Sequence, residues 1–180
     1  MPPPDGLHAD FVRHARAKTD PGLWSLAVRR FGNWAAGLPQ APLRWAGLKV
    51  YGGALVVVQA TTGNLLNREV TLGRDPDLRD ARNVIVHADV VIGDRCRIHS
   101  GVSLGTNERF KLGVPRIGND VVIETGAKIL GPVTIGDRAV VRANSLVLTD
   151  VPADAVVMGV PARVVRDPVV AAVGRGAVAR

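Results

Sequence analysis

A chain of 180 residues is about one domain long, and 47% apolar residues are ample for a core, while an aromatic content of only 4% suits thin stacked layers better than a thick interior. A single cysteine excludes an internal disulfide. The formal charge of +7 is carried by scattered Lys and Arg without interleaved aromatics, which argues against a nucleic-acid stacking surface and leaves a solubilising surface, a polyphosphate-bearing cofactor or an acidic carbohydrate.

Taken in order, Met1 to Asp10 is Pro-rich and polar and carries no apolar run of a secretory leader, so a cytoplasmic setting is expected. Met1 to Asp20 reads as poorly ordered. From Pro21, the residues Leu23, Trp24, Leu26, Ala27, Phe31, Trp34 and Ala35 recur at helical spacing up to Leu38-Pro39. A second apolar segment runs from Leu43 to Leu66, interrupted by Lys49 and Gly52-Gly53, and its uncharged part from Val50 to Ala60 is too short to cross a bilayer. Packing on the open end of the structure that follows is the expected role, and docking to a membrane surface is the lesser alternative.

From Val84 to Leu148 an aliphatic residue returns every sixth position. Val86, Ile92, Ile98 and Leu104 form one series, and Ile117, Ile123, Ile129, Ile135, Val141 and Val147 a second. Slim residues recur four places later, among them Val90, Cys96, Val102, Ala127, Ala139 and Ser145. Neither helix nor strand has this period, whereas a coil of three short flat faces does, because each face is too small to bury its apolar side until the next coil stacks on it. Gly93, Gly105, Gly118 and Gly136 directly follow aliphatic positions, where a sharp turn gains from glycine. Cys96 occupies an inward slot and reads as packing rather than reactivity.

The repeat breaks twice. Residues 79–83 form a polar bulge before Val86, and the thirteen-residue step from Leu104 to Ile117 expels a loop, Thr106 to Pro115, from the scaffold. Asn107, Arg109 and Lys111 on this loop are candidates for shaping a substrate pocket. The organisation is therefore an N-terminal tail and helical segment (1–66), a repeat domain (67–166) and a C-terminal tail (167–180) expected to be frayed.

Gly126-Ala127-Lys128-Ile129-Leu130-Gly131-Pro132-Val133-Thr134-Ile135-Gly136-Asp137, Val102 to Asn107 and the terminal Gly159-Val160-Pro161-Ala162-Arg163 resemble the hexapeptide-repeat acyltransferases, most of all their serine acetyltransferase branch. The resemblance implies a mainly β fold, a left-handed parallel β-helix, and acetyl-CoA as donor. It also implies a homotrimer with sites between subunits, with pairing into a hexamer left open, and a small hydroxylated acceptor such as serine or a serine-like metabolite. A sugar or polysaccharide hydroxyl is the alternative acceptor. The family's cofactor groove maps onto Gly105, Thr106, Thr125, Ala143, Thr149 and Arg163, with Asp150 where a Lys is common.

Both usual catalytic imidazoles are missing, since their positions fall on Asp80 and Val114. Acyl transfer to a hydroxyl needs a base, and the repeat offers only His87 and His99. They stand twelve residues apart, two faces around the coil, and so point in different directions. Asp80 precedes His99 by nineteen residues, about one turn of the coil, which would let its carboxylate orient that imidazole. A zinc hydrase would need three converging His, and two in the coil do not suffice. A non-catalytic acyl-CoA-binding homologue that has lost its bases stays open beside the enzyme.

Overall fold

The computed structural model describes residues 20–79, 81–107 and 113–165. Two helices come first: α1 (Pro21–Ala36), whose Gly22 amide donates to the Asp20 carboxylate at 2.8 Å, and α2 (Ala41–Thr62), closed by Gly63 at φ 74°.

Short strands then succeed one another around a coil. The first turn holds β1 (Leu65–Leu66) and β2 (Thr71–Leu72); the second β3 (Ile85–Val86), β4 (Val91–Ile92) and β5 (Arg97–Ile98); the third β6 (Ser103–Gly105), β7 (Arg116–Ile117) and β8 (Val122–Ile123). The fourth holds β9 (Lys128–Leu130), β10 (Thr134–Ile135) and β11 (Val140–Val141), and the last β12 (Leu146–Val147) with the hairpin β13 (Val156–Gly159) and β14 (Ala162–Val164). Each strand pairs with its counterpart one turn away, giving three sheets ordered β1-β3-β6-β9-β12, β2-β4-β7-β10 and β5-β8-β11-β13-β14, parallel throughout except at the final hairpin. The fold is thus mainly β, a three-sided parallel coil with two helices at one end.

The six-residue register is the core. All ten aliphatic positions of the two series are buried, none more than 4% exposed, and the slim positions beside them are buried as well. Strand pairing places Val86 on Leu104, Ile92 on Ile117, and Ile98 on Ile123. Each such side chain contributes about 1.5–3 kcal/mol by leaving water, and only because its neighbour one turn away covers it.

The repeat glycines have a different reason from the expected one. Gly93, Gly118 and Gly136 do not take left-handed backbone; they lie so close to the next turn that a Cβ on Gly93 would sit 2.5 Å from the Gly118 carbonyl oxygen. The left-handed corners fall to Arg95, Asp120 and Arg138, with φ of 54°, 56° and 59°. Their side chains form ion pairs along the edge, Arg95 with Asp120 at 2.6 Å and Arg138 with Asp154 at 2.7 Å.

The cap on the open end, expected from the second apolar segment, is formed instead by α1. Leu26 enters the coil core beside Leu66, Val70 and Leu78, and the buried Asn64 amide donates to Ser25 Oγ and the Ala81 carbonyl, both at 2.9 Å. Arg29 donates to the Val70 carbonyl. α2 stacks mainly on α1, with Tyr51 against Gly32, and reaches the first turn of the coil through the Tyr51 Oη, which accepts from the Arg68 amide at 3.1 Å. No helix among the described residues is long and apolar enough to cross a membrane.

Cys96 is a packing residue, as its slot implied. Burial pushes its thiol up to about 11, and Sγ donates to the Gly118 carbonyl at 3.0 Å. Native protein should therefore resist a disulfide-exchange reagent such as dithionitrobenzoate at pH 8, releasing one equivalent of chromophore only after unfolding. Leu26→Ala should lower stability by about 2–5 kcal/mol in a urea titration, because it empties the site where helix and coil meet.

Candidate active site

The coil has two edges flanking the sheet β1-β3-β6-β9-β12. One follows the third side of each turn and carries residues at the ends of β5, β8 and β11. Continuing the register Ile98–Ile123–Val141 by one residue stacks His99, Glu124 and Arg142, which the bonds from His99 N to the Ile123 carbonyl and from Glu124 N to the Val141 carbonyl maintain. The next step stacks Ser100, Thr125 and Ala143, with Gly126 N donating to the Ser100 carbonyl and Asn144 N to that of Thr125. Arg163 lies lower on this edge, paired with Met158 across the terminal hairpin.

The other edge carries the ends of β3, β6, β9 and β12. Here His87 stands beside Gly105: a Cβ built on the glycine would be 4.0 Å from that of His87. Continuing the registers Leu104–Ile129 and Ile129–Val147 by two residues puts Thr106 and Thr149 in one column, with Gly131 between them. The loop beginning at Thr106 leaves from this edge.

The sequence-derived residues thus divide into two half-sites: His99, Thr125, Ala143 and Arg163 along one edge, and His87, Gly105, Thr106 and Thr149 along the other. The two histidines do face different ways, being on different edges. Asp80, Arg109 and Lys111 lie outside the described residues; Asn107 lies at the root of the loop and is half-buried. Val114, at the position the resemblance gives to a second imidazole, packs against the core. Asp150, in the place of a Lys, accepts from the Thr134 amide at 2.7 Å and so serves the coil itself.

His99 borders a pocket of about 300 Å³ that it shares with Asp77, Arg79, Arg97 and Ile98. Two further groups here, Asp77 and Glu124, escaped sequence reasoning. Asp77 accepts from Arg79 Nε at 2.9 Å and Nη2 at 2.7 Å and from Arg97 Nε at 3.1 Å. Burial works against its charged form, but the Arg79 bonds outweigh it with help from Arg97, and its carboxyl is held down to about 2. Glu124, next to His99 in the stack, accepts from Arg142 at 2.5 Å and from the Ala143 amide at 3.0 Å. The signal for both was the register: Asp77 pairs with Arg97, and Glu124 stands between His99 and Arg142.

Residues 115–149 match the family model described as bacterial transferase hexapeptide (six repeats). The chain is 32% identical over 148 residues to the serine acetyltransferase of Synechococcus elongatus, covering 81% of this chain and 57% of that one. Against the serine acetyltransferase of Bacillus pumilus it is 36% identical over 121 residues, 65% of this chain and 56% of the relative. Soybean serine acetyltransferase superposes with a TM-score of 0.73 at 26% identity, over 92% of this chain and 70% of the other. The serine-bound enzyme of Neisseria gonorrhoeae gives 0.69 at 26% identity, over 88% and 65%.

Residues 115–149 of the coil are therefore similar to the hexapeptide repeat of bacterial transferases. The chain is similar to serine acetyltransferases in sequence and fold, and spans a little over half the length of these two curated relatives.

The Asp77 cluster has a pH signature. A carboxyl lowered on folding stabilises the native state fully above its ordinary value of 3.8, and that contribution disappears as pH falls towards about 2. Asp77→Asn should be less stable than the parent at pH 7, and the gap should narrow between about pH 4 and about pH 2 in paired urea titrations.

Proposed function

We propose that this protein is an acetyl-CoA-dependent O-acetyltransferase acting on a small hydroxylated acceptor, with serine or a serine-like metabolite first and a sugar hydroxyl as the alternative. The observation that carries the reading is the pair of small-residue columns flanking one sheet of a hexapeptide coil whose sequence is 32–36% identical to serine acetyltransferases. The catalytic unit spans residues 67–166, capped by the segment 1–66, with 167–180 as a tail. The coil is left-handed, and the setting is cytoplasmic.

The two half-sites support a homotrimer. Within one copy they lie on opposite edges of the sheet, so one long thin thioester cannot touch both at once unless the second edge comes from a neighbour. In such an assembly Thr125, Ala143 and Arg163 of one subunit line the pantetheine path, the last facing phosphate. Gly105, Thr106 and Thr149 of the next close it, and Asn107, Arg109 and Lys111 shape the acceptor pocket.

His99 is the general base. It accepts the acceptor's hydroxyl proton as that oxygen attacks the thioester carbonyl carbon; the C–S bond then breaks, and the departing coenzyme A sulfur receives the proton from the imidazolium. A backbone N–H at the Gly105–Thr106 turn holds the developing oxyanion. Asp80 is the orienting carboxylate from the turn above, and Glu124 lies in the turn below. His87 is the competing base, being the imidazole next to Gly105.

A second reading is favoured by Val114, which is apolar and packed on the core where relatives of this type are expected to carry an imidazole: an acyl-CoA binder without turnover. Calorimetric titration with acetyl-CoA, paired with free-thiol release over a panel of serine, hydroxy acids and sugars, separates the two. His99→Ala should lower turnover about 100-fold or more and leave the acetyl-CoA dissociation constant within about two-fold. Unchanged turnover transfers the role to His87, and binding without turnover on any acceptor supports the binder.

A further inference from the structure

The cavity beside His99 has a polarity of its own. Two guanidinium groups, Arg79 and Arg97, and a single carboxylate, Asp77, line it, so cations outnumber anions two to one. Asp77 is fully engaged by them. Its Oδ1 accepts from the Arg79 amide at 3.2 Å and Nε at 2.9 Å, and its Oδ2 from Arg79 Nη2 at 2.7 Å and Arg97 Nε at 3.1 Å. Four donors match the acceptor capacity of one carboxylate. Glu124, stacked under His99, is turned towards the next turn, where Arg142 and the Ala143 amide hold it. Neither acid has room to receive an ammonium from a ligand, and in the mechanism proposed above Asp80 serves the imidazole.

The surplus cation is poorly screened. The Arg97 side chain is 25% exposed and that of Asp77 12%. The outward positions stacked beyond Arg97 are Val122 and Val140, both buried, so this side of the guanidinium meets an apolar wall instead of a counter-charge. In such a setting an anion is attracted more strongly than in open water. Arg97 and His99 flank the inward-pointing Ile98 on one strand and its continuation, roughly 6.6 Å apart along the chain. A small hydroxy acid bridges that spacing with a hydrogen bond at each end, and a cavity of about 300 Å³ holds it.

We infer that the acceptor is recognised through a carboxylate and not through an ammonium: its carboxylate lies against Arg97 and Arg79 while its hydroxyl reaches His99. The inference rests on the transferase reading above and narrows the acceptor to hydroxylated carboxylates. A free hydroxy acid and the uronic acid unit of a sugar carry the same two groups. Serine binds through its carboxylate alone, and its ammonium meets surplus positive charge with no acid to receive it. The planar guanidinium fork matches a carboxylate in shape as well as in charge.

Thiol release from acetyl-CoA over matched acceptors tests this. 3-Hydroxypropionate carries the carboxylate alone, serine the carboxylate and the ammonium, and 1,3-propanediol neither; glucuronate and glucose form the matching sugar pair. In at least one pair the acid should exceed its neutral partner in kcat/KM by about 10-fold or more, and 3-hydroxypropionate should equal or exceed serine. The pair that shows the preference identifies the source of the carboxylate. Arg97→Met should bring that ratio to within about three-fold, and a mere loss of folded protein would leave the ratio unchanged. Smaller ratios in both pairs, serine outrunning 3-hydroxypropionate, or a ratio that Arg97→Met preserves would each overturn the inference. If no acceptor releases thiol, the transferase reading falls, and ligand-observed NMR titration decides the inference by itself. Binding of 3-hydroxypropionate or glucuronate that Arg97→Met abolishes upholds the carboxylate site, and binding of neither overturns it.

Discussion

Stacking of inward aliphatic side chains in a six-residue register is the constraint on which the rest of this molecule depends. Among the described residues no strand exceeds four residues, and alone none of them would hold. Stability comes from each Ile or Val lying on the one above and below, so the coil is held by nearest-neighbour contacts and its exposed ends become the vulnerable places. That is why Leu26 and Arg29 of α1 are sunk into the first turn, and why glycines recur where successive turns come too close for a side chain.

The same register that builds the core also builds the chemistry. Residues just past a strand leave the sheet at an edge, and equal spacing piles them into columns. One such column holds His99, Glu124 and Arg142, and another holds Thr106 and Thr149. A groove of small residues along a rigid edge suits a narrow ligand whose length matches several turns. In the proposed function the polar ends of that ligand are assigned to the few side chains that break the small-residue rule, Arg163 among them. Asp77 with Arg79 and Arg97 forms a preset ionic cluster beside His99, stiffening the edge from which that imidazole projects.

Much of the fold was legible because its period is unlike any competing one. The ten aliphatic positions and the two interruptions could be read from spacing alone, whereas the cap was expected from the second apolar segment and is formed by α1. Three of the four glycines were read for the wrong reason: Gly93, Gly118 and Gly136 follow aliphatic residues because the next turn presses on them, whereas Gly105 has room beside it, and left-handed conformations next to these positions are supplied by Arg95, Asp120 and Arg138. The site was less legible. Spacing tells which residues share an edge but hides which charges meet there, so Asp77 and Glu124 went unnoticed until the turns were stacked. Nor could it tell that α2 would rest on α1 and leave its other face to solvent, since both helices are apolar enough to face the coil.

A mixed-assembly experiment tests the central claim, that one thioester site is made from unlike edges of two neighbouring copies. Ala143→Trp would block one edge and Gly105→Trp the other, and each variant alone should bind no acetyl-CoA in a calorimetric titration. Co-refolded in equal amounts, the two should recover about a quarter of the parent's sites, because random assembly places an intact edge from one chain beside an intact edge from the next in that proportion. No recovery at all, with both variants folded and assembled at the parent's mass, would mean that each copy binds with its own two edges, and would contradict the account.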